Sequence, residues 1–236
     1  MENNKTFWEP ETGDWQVELR ELEKSYGLKT VKVEINRRLL ELIKVANIDA
    51  LLDRANDPDE IPFWAELWPA SIGLARFIME SESALKADSV LELGAGVGLA
   101  GIAAKIAGYR VVQSDFTIEA LRFIRVNCLK NQVAASGLLL ADWRNFPIPE
   151  QRYDLIIGAD ILYEKNLHSY LWKIFKESLK PEGCVVLADP GRDYARDFIK
   201  YSAAEGWRVE QTRRPVFYEG RSYTIDLYRL SVSGTE

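Results

Sequence analysis

Glu92-Leu93-Gly94-Ala95-Gly96-Val97-Gly98 is the stretch whose reading decides the fold. It closes a short apolar run from Val90 to Leu93 and opens a segment, Val97 to Ala107, in which Leu99, Ile102, Ala103 and Ile106 recur at helical spacing. A strand that passes through a glycine turn directly into a helix is the first half of a βαβ unit. Glycines in such a turn allow positive φ and let a ligand come close to the backbone. Asp115 ends the next apolar run, Val111 to Ser114, 23 residues after Glu92. A carboxylate there can accept from both hydroxyls of a ribose.

The alternation continues outward from this pair. Thr117 is placed to cap a helix running to about Asn131. Leu138 to Ala141, Leu155 to Ala159 and Val185 to Ala188 are further short apolar runs, each followed by a loop and in two cases by a helix. Continuous apolar strands between helices indicate a parallel sheet covered on both faces. The C-terminal part differs. Arg208 to Arg213 and Tyr223 to Leu230 have no helix between them, and Glu219-Gly220-Arg221 reads as a hairpin turn. The last strand is therefore expected to be antiparallel. Such a sheet binds ligands at the carboxyl ends of its strands.

The glycine spacing restricts the ligand. A dinucleotide fingerprint needs its third glycine where Leu99 stands, and no P-loop lysine follows. Asp142-Trp143, after the third strand, offers an acceptor for an adenine amino group and a ring to stack on it. These residues point to a ligand with adenine and ribose but no pyrophosphate.

Upstream, Trp15, Leu19, Leu22 and Tyr26 predict a helix ended by Gly27, and Thr30 to Val45 reads as two short strands around Asn36-Arg37-Arg38. A short helix is expected over 49–55. Asn56-Asp57-Pro58-Asp59-Glu60 then marks a loop and the best internal boundary. Pro69 suits the first turn of a helix to about Glu82 that buries Ile72, Ala75 and Ile78. The expected division is an N-terminal extension over 1–60, a main domain over 61–231 and a short tail over 232–236.

Composition sets the outer bounds. The chain has 236 residues, 47% hydrophobic and 28% charged, ordinary usage for a globular protein. Its longest uncharged apolar run, Leu93 to Ala104, has 12 residues, against roughly 20 for a membrane-spanning helix. No membrane association is expected. The first residues lack the basic-then-apolar order of a signal peptide. Two cysteines, Cys128 and Cys184, support neither a disulfide framework nor a zinc site, and one histidine, His168, argues against a metal centre. The cysteines are expected to be buried fillers, His168 to face solvent, and the protein to work in the cytoplasm. Residues 1–60 carry nine basic and fourteen acidic side chains, most of the net charge of −6. An acidic chain is a poor match to a phosphate backbone, so nucleic acid is not the expected partner.

The strings VLELGAGVGLAGIAA, SDFTIEAL, ADW and GADILY resemble class I S-adenosylmethionine-dependent methyltransferases. PFWAELWPASIGLARFI before the glycine loop, with Asp160-Ile161-Leu162-Tyr163 after the fourth strand, resembles more narrowly the seven-strand protein-lysine methyltransferases. That family includes the enzymes of electron-transfer flavoprotein β subunit and relatives once labelled nicotinamide N-methylases. Asp189-Pro190-Gly191-Arg192 looks like bacterial members of the same group. The resemblance covers about Ile61 to Leu230. It implies a Rossmann-like α/β fold, a seven-stranded, mostly parallel sheet with an antiparallel last strand. It also implies S-adenosyl-L-methionine as cofactor. Glu92, Gly94, Gly96 and Gly98 would line its methionine end, Asp115 would hold the ribose, Asp142 and Trp143 the adenine, with Trp68 and Ala159 beside it. Asp160 and Tyr163 would form the acceptor site. The asparagine-proline-proline-tyrosine element of many amide and base methyltransferases is absent, since Ala159-Asp160-Ile161-Leu162 stands there.

The expected reaction is in-line methylation of a lysine on a protein partner. Asp160 would capture and orient the ammonium rather than act as base, because a carboxylate beside an amine favours its charged form. Tyr163, Trp64 and Trp68 would wall the aliphatic stem. Two other readings share the same cofactor half: a small-molecule N- or O-methyltransferase, and a cofactor-binding partner protein without transfer activity. Arg213, Arg214 and Arg221 read as a solvated edge that blocks strand addition. The acidic extension suits a lid or a platform for a lysine-bearing partner.

Overall fold

A computed structural model of the chain describes residues 14–52, 62–81, 85, 87–135, 137–147 and 150–232. From the N-terminus its elements are α1 (Trp15–Tyr26), β1 (Leu28–Ile35), β2 (Arg38–Val45), the single turn α2 (Asp49–Leu52), α3 (Pro69–Glu80) and β3 (Ser89–Leu93). They continue as α4 (Leu99–Ile106), β4 (Arg110–Asp115), α5 (Ile118–Lys130), β5 (Leu138–Leu140), β6 (Tyr153–Ala159), α6 (His168–Ser178) and β7 (Leu179–Asp189). The last three are α7 (Asp193–Ala204), β8 (Trp207–Tyr218) and β9 (Arg221–Val232).

Seven strands form one sheet in the order β5-β4-β3-β6-β7-β9-β8. The first five run parallel, and β9 is antiparallel to both β7 and β8. The expected hairpin is present but longer at both ends, turning at Glu219-Gly220 with φ of 46° and 75°. Side chains alternate across the sheet as strand geometry requires. Val90, Leu155, Ile157, Val186 and Ala188 face a core shared with α3 and α4. Leu91, Leu93, Ile156, Val185 and Leu187 face the other core, with Leu171 and Phe175 of α6 and Phe198 of α7. Helices thus cover both faces. Among the described residues no helix is long and apolar enough to cross a membrane.

The local signals upstream also correspond. Asp14 caps α1 by accepting from the Gln16 N–H at 2.8 Å. β1 and β2 join through Asn36-Arg37, both at positive φ, 47° and 65°. This is the two-residue turn that matches strand twist, so Arg38 opens β2 instead of belonging to the turn. Pro69 is the first residue of α3, and Ile72, Ala75 and Ile78 are buried. The short helix ends its described part at Leu52, and the loop at 56–60 and the end of the expected helix at 82 lie outside the described residues.

The described part of residues 1–60 forms a third layer. Val31, Val33, Ile35, Leu40 and Leu42 join the core containing α3, while Leu22, Ile43 and Val45 pack with Phe123 and Val126 of α5. Polar contacts fix this layer in register. The Ala46 N–H donates to the Gly27 carbonyl at 3.0 Å, which leaves Glu41 and Ile43 at positions whose backbone groups turn away from β1. The Asn127 amide meets Ile43, accepting its N–H at 2.7 Å and donating to its carbonyl at 3.0 Å. Asn131 does the same for Glu41 at 3.0 and 2.8 Å. Two side chains four residues apart on a helix thereby stand in for a third strand. Glu18 of α1, 3% exposed, is ion-paired with Arg125 and Arg122 of α5.

Candidate functional site

A cavity of about 360 Å³ opens where β3, β4, β5 and β6 end, a volume within the range of small-molecule sites. The glycine turn forms its floor. The Ala95 N–H donates to the Ser114 carbonyl at 3.0 Å, which ties the turn to β4. Gly94 has φ of 62°, and a Cβ there would meet Ile161 at 2.9 Å and Trp143 at 3.1 Å. Gly96 lines the cavity and donates its N–H to Asp115 Oδ2 at 2.9 Å. Gly98 lies deeper. It starts α4 at φ of 88° and faces Ile124 and Gln113 rather than the cavity.

Glu92 and Asp115 are both buried at the cavity wall. Glu92 Oε2 accepts from Gln113 Nε2 at 2.8 Å. Burial pushes its carboxyl up to about 7, against the Gln113 and Gly101 N–H groups that favour the charged form. Gly101 is needed for this contact, since a Cβ there would sit 2.2 Å from Glu92 Oε2. Its spacing of three from Gly98 in the first turn of the helix was the available signal, and the sequence reading assigned it no role. Burial also raises the Asp115 carboxyl, although the N–H groups of Gly96 and Thr117 donate to its two oxygens.

The third expected acid behaves differently. Asp142 lines the cavity, but its oxygens accept from the Arg144 backbone N–H and from Arg144 Nε, at 2.9 to 3.0 Å. Arg144 also lies over the ring of Phe116, 5.6 Å from its centroid. Phe116 is 48% exposed and lines the same end of the cavity. Directly after Asp115, it was legible as a ring beside the acid expected to hold a ribose, and the sequence reading passed over it. Trp143 sits half-buried against Gly94.

The opposite wall is aromatic. Trp68 Nε1–H donates to the Phe63 carbonyl at 2.9 Å, and Phe63 stands between the rings of Trp68 and Tyr163 at 6.3 and 5.3 Å. Trp64 contributes to the lining, but its ring packs with Tyr26 and Phe123 at 5.6 Å each. Ala159, Asp160 and Tyr163 complete this side. Asp160 has φ of 62°, uncommon for a residue with a side chain, and its N–H donates to the Ala188 carbonyl at 2.8 Å. Its carboxylate is ion-paired with Arg192. The sequence reading quoted Arg192 within a family-like string and gave it no role, because pairing across 32 residues has no local signature.

Other expectations resolve as follows. His168 does not face solvent freely: its Nε2 lies 3.2 Å from the Leu162 carbonyl and its ring meets Phe198 edge-on at 5.0 Å. Burial lowers its basicity. Packing by α7 overrode the polar helix face that the sequence suggested. Cys128 and Cys184 are buried. Arg213 and Arg214 lie on the exposed edge strand β8, paired with Asp226 and Glu80. No described residue of the N-terminal layer lines the cavity.

A family model described as lysine methyltransferase matches residues 55–202. The chain is similar to the electron transfer flavoprotein beta subunit lysine methyltransferase of Homo sapiens, 28% identical over 169 residues, which covers 66% of this chain and 63% of the relative. It is also similar to protein N-lysine methyltransferase METTL21A of Xenopus tropicalis, 30% identical over 171 residues, covering 71% of this chain and 77% of the relative. The match spans 63% of the human flavoprotein methyltransferase and 53% of its Mus musculus counterpart. Among solved structures, a putative RNA methyltransferase from Pyrococcus horikoshii shares the fold with a TM-score of 0.55, 20% identity, and coverage of 83% of this chain and 93% of that chain.

Proposed function

The chain belongs to the lysine methyltransferase family, and from that premise we propose that it methylates a lysine side chain on a protein partner, with S-adenosyl-L-methionine as cofactor. The observation that carries this reading is the joining of two half-sites in one cavity: the glycine cradle with its buried acid, and a wall of Asp160, Tyr163, Phe63 and Trp68.

The residues present fit the cofactor. Gly94 and Gly96 line the cavity at positive φ with no side chain of their own, so a ligand can approach the main chain there. Asp115 and Gly96 would hold the ribose, Phe116 and Trp143 the adenine, and the turn beside Glu92 the methionine end. When bound, the cofactor supplies a methyl group on a positive sulfonium.

The protein's own contribution is position and selection. Six acidic side chains line the cavity against one cation, Arg144, among the described residues, and three of them, Glu66, Asp142 and Asp160, are ion-paired with Lys44, Arg144 and Arg192. Such a lining offers a phosphate no cluster of cations and leaves an amine several acceptors. Tyr163, Phe63 and Trp68 offer ring faces to an aliphatic stem and its terminal nitrogen. Only the neutral amine can accept a methyl group, and removing its proton at pH 7 costs roughly 4–5 kcal/mol from an unperturbed pKa of about 10.4. Burial among these rings lowers that cost, and Asp160 orients the amine by accepting a hydrogen bond.

Calorimetric titration with S-adenosyl-L-methionine, with NADH and ATP as controls, tests the first half. Tritiated-methyl transfer to lysate from a strain lacking this gene tests the second. The reading predicts binding of the first ligand alone and a labelled protein whose label resides on lysine. Label confined to small molecules, or no binding, refutes it.

A further inference from the structure

Arg192 stands behind the acceptor wall. Asp160 lines the cavity, whereas Arg192, on the loop between β7 and α7, is not among the lining residues. Its Nη1 is ion-paired with Asp160 Oδ1, so the guanidinium reaches the carboxylate from outside the cavity. Arg192 is itself held in place. Nη1 donates to Asp189 Oδ2 at 3.2 Å, and Asp189 Oδ1 accepts the backbone N–H groups of Gly191 and Arg192 at 2.7 Å each. Asp189 is 1% exposed and the Asp160 side chain 7%, while the Arg192 side chain is 34% exposed, so the carboxylates are buried and water reaches the pair only from the guanidinium side.

We propose that Arg192 is a positioning residue that makes the site receive lysine as a neutral amine. The inference rests on the lysine reading above. A bare carboxylate beside the amine would stabilise the ammonium, which cannot accept a methyl group. With Arg192 on Oδ1, part of that field is offset, and Oδ2 is left to accept a hydrogen bond from the amine. Asp160 then orients without charging its ligand.

Arg192 is shared between Asp160 and Asp189, and two further acids nearby have cations of their own. Asp193 and Arg196 of α7 are ion-paired. Asp226 of β9 is paired with Arg213 of β8 and accepts from Tyr228 Oη at 3.2 Å. On the cavity side Tyr163 and Glu164 follow on the same loop as Asp160. The cation that offsets Asp160 is Arg192.

Two readouts test this, one of them independent of turnover. The first is titration of n-butylamine hydrochloride into the protein saturated with S-adenosylhomocysteine at pH 7. Arg192→Gln is expected to bind the ammonium about tenfold more tightly than the wild type, as an unmasked carboxylate would. The second is the pH profile of label transfer to the lysate substrate. Arg192→Gln should move it upward by about one pH unit, with rates converging on the wild type at high pH. Arg192→Lys should stay near the wild type in both, and Asp160→Asn combined with Arg192→Gln should lose the gain in amine affinity. Unchanged or weaker amine binding by Arg192→Gln, or a rate lowered equally at every pH, overturns the proposal. Should a thermal melt show Arg192→Gln unfolded, Asp160→Asn alone decides: with the guanidinium left to Asp189, amine binding should weaken, and unchanged affinity refutes the proposal. A wild-type protein that labels no lysine would instead overturn the lysine reading, while the amine titration still reads the ion pair.

Discussion

Replacing Asn127 by alanine isolates the contact that fastens the N-terminal layer to the sheet. Asn127 is fully buried. Its amide accepts the Ile43 N–H at 2.7 Å and donates to the Ile43 and Val97 carbonyls at 3.0 and 2.9 Å. Alanine removes all three bonds at once, and the Ile43 groups turn away from β1, so that strand cannot replace them. With about 1 to 1.5 kcal/mol for each lost bond, and more where a buried group is left unmet, the expected cost is roughly 3–5 kcal/mol. For a chain of this size that lowers the melting temperature by roughly 8–15 °C. Asn131→Ala is the internal control. It removes the equivalent bonds to Glu41 at a half-buried position, where water can substitute, and should cost about 1 kcal/mol. Urea unfolding of both variants gives the difference, with equal slopes required for a clean comparison. Amide exchange at Ile43 should accelerate in Asn127→Ala more than at other β2 positions. If Asn127→Ala costs no more than Asn131→Ala, or Ile43 exchange is unchanged, the claim that the amide serves as a strand is wrong.

Gly94→Ala should weaken cofactor binding at least tenfold in calorimetry, because its Cβ would lie 2.9 Å from Ile161 and 3.1 Å from Trp143 at a φ of 62°. Glu92 should make stability fall as pH rises. Its carboxyl is raised from 4.5 to about 7 by burial, so between those values the native state holds the proton more tightly than the unfolded chain. Unfolding free energy should decline by up to about 3 kcal/mol across that window and then level. The difference between wild type and Glu92→Gln, followed by urea unfolding from pH 5 to 8, should carry this slope, and a flat difference refutes it. Asp160→Ala should reduce methyl transfer roughly 100-fold through lost orientation, with cofactor affinity retained in calorimetry. Tyr163→Phe, which keeps the ring, should cost less than Asp160→Ala. Transfer by Asp160→Ala at the wild-type rate would remove Asp160 from the acceptor site.

Local signals were legible wherever one segment carried its own answer. The run from Val90 through Gly98 specified strand, turn and helix, because apolar period and glycine placement agree over consecutive residues. Asn36-Arg37 and Glu219-Gly220 lie at turns of the expected places. Contacts between distant segments were not legible. His168 was assigned to solvent, yet α7 covers it. Gly101 looks like one more small helical residue until Glu92 and Gln113 are seen packed against it.

The count of seven strands was implied by the family resemblance, while the sequence by itself determined the order of elements, a parallel sheet with an antiparallel end, and the residue types at the carboxyl ends of the strands. Those properties follow from periodicity, turn chemistry and spacing within some 30 residues, where the chain's own connectivity limits the geometry. Tertiary structure alone decided which charges meet. Arg192 reaches Asp160, Asn127 completes β2, and Glu18 enters α5's arginine pair only because the sheet and helices bring remote segments together. An ion pair or an amide bridge depends on angstrom-scale approach between side chains with no sequence relation, so its partners are set by packing and not by pattern.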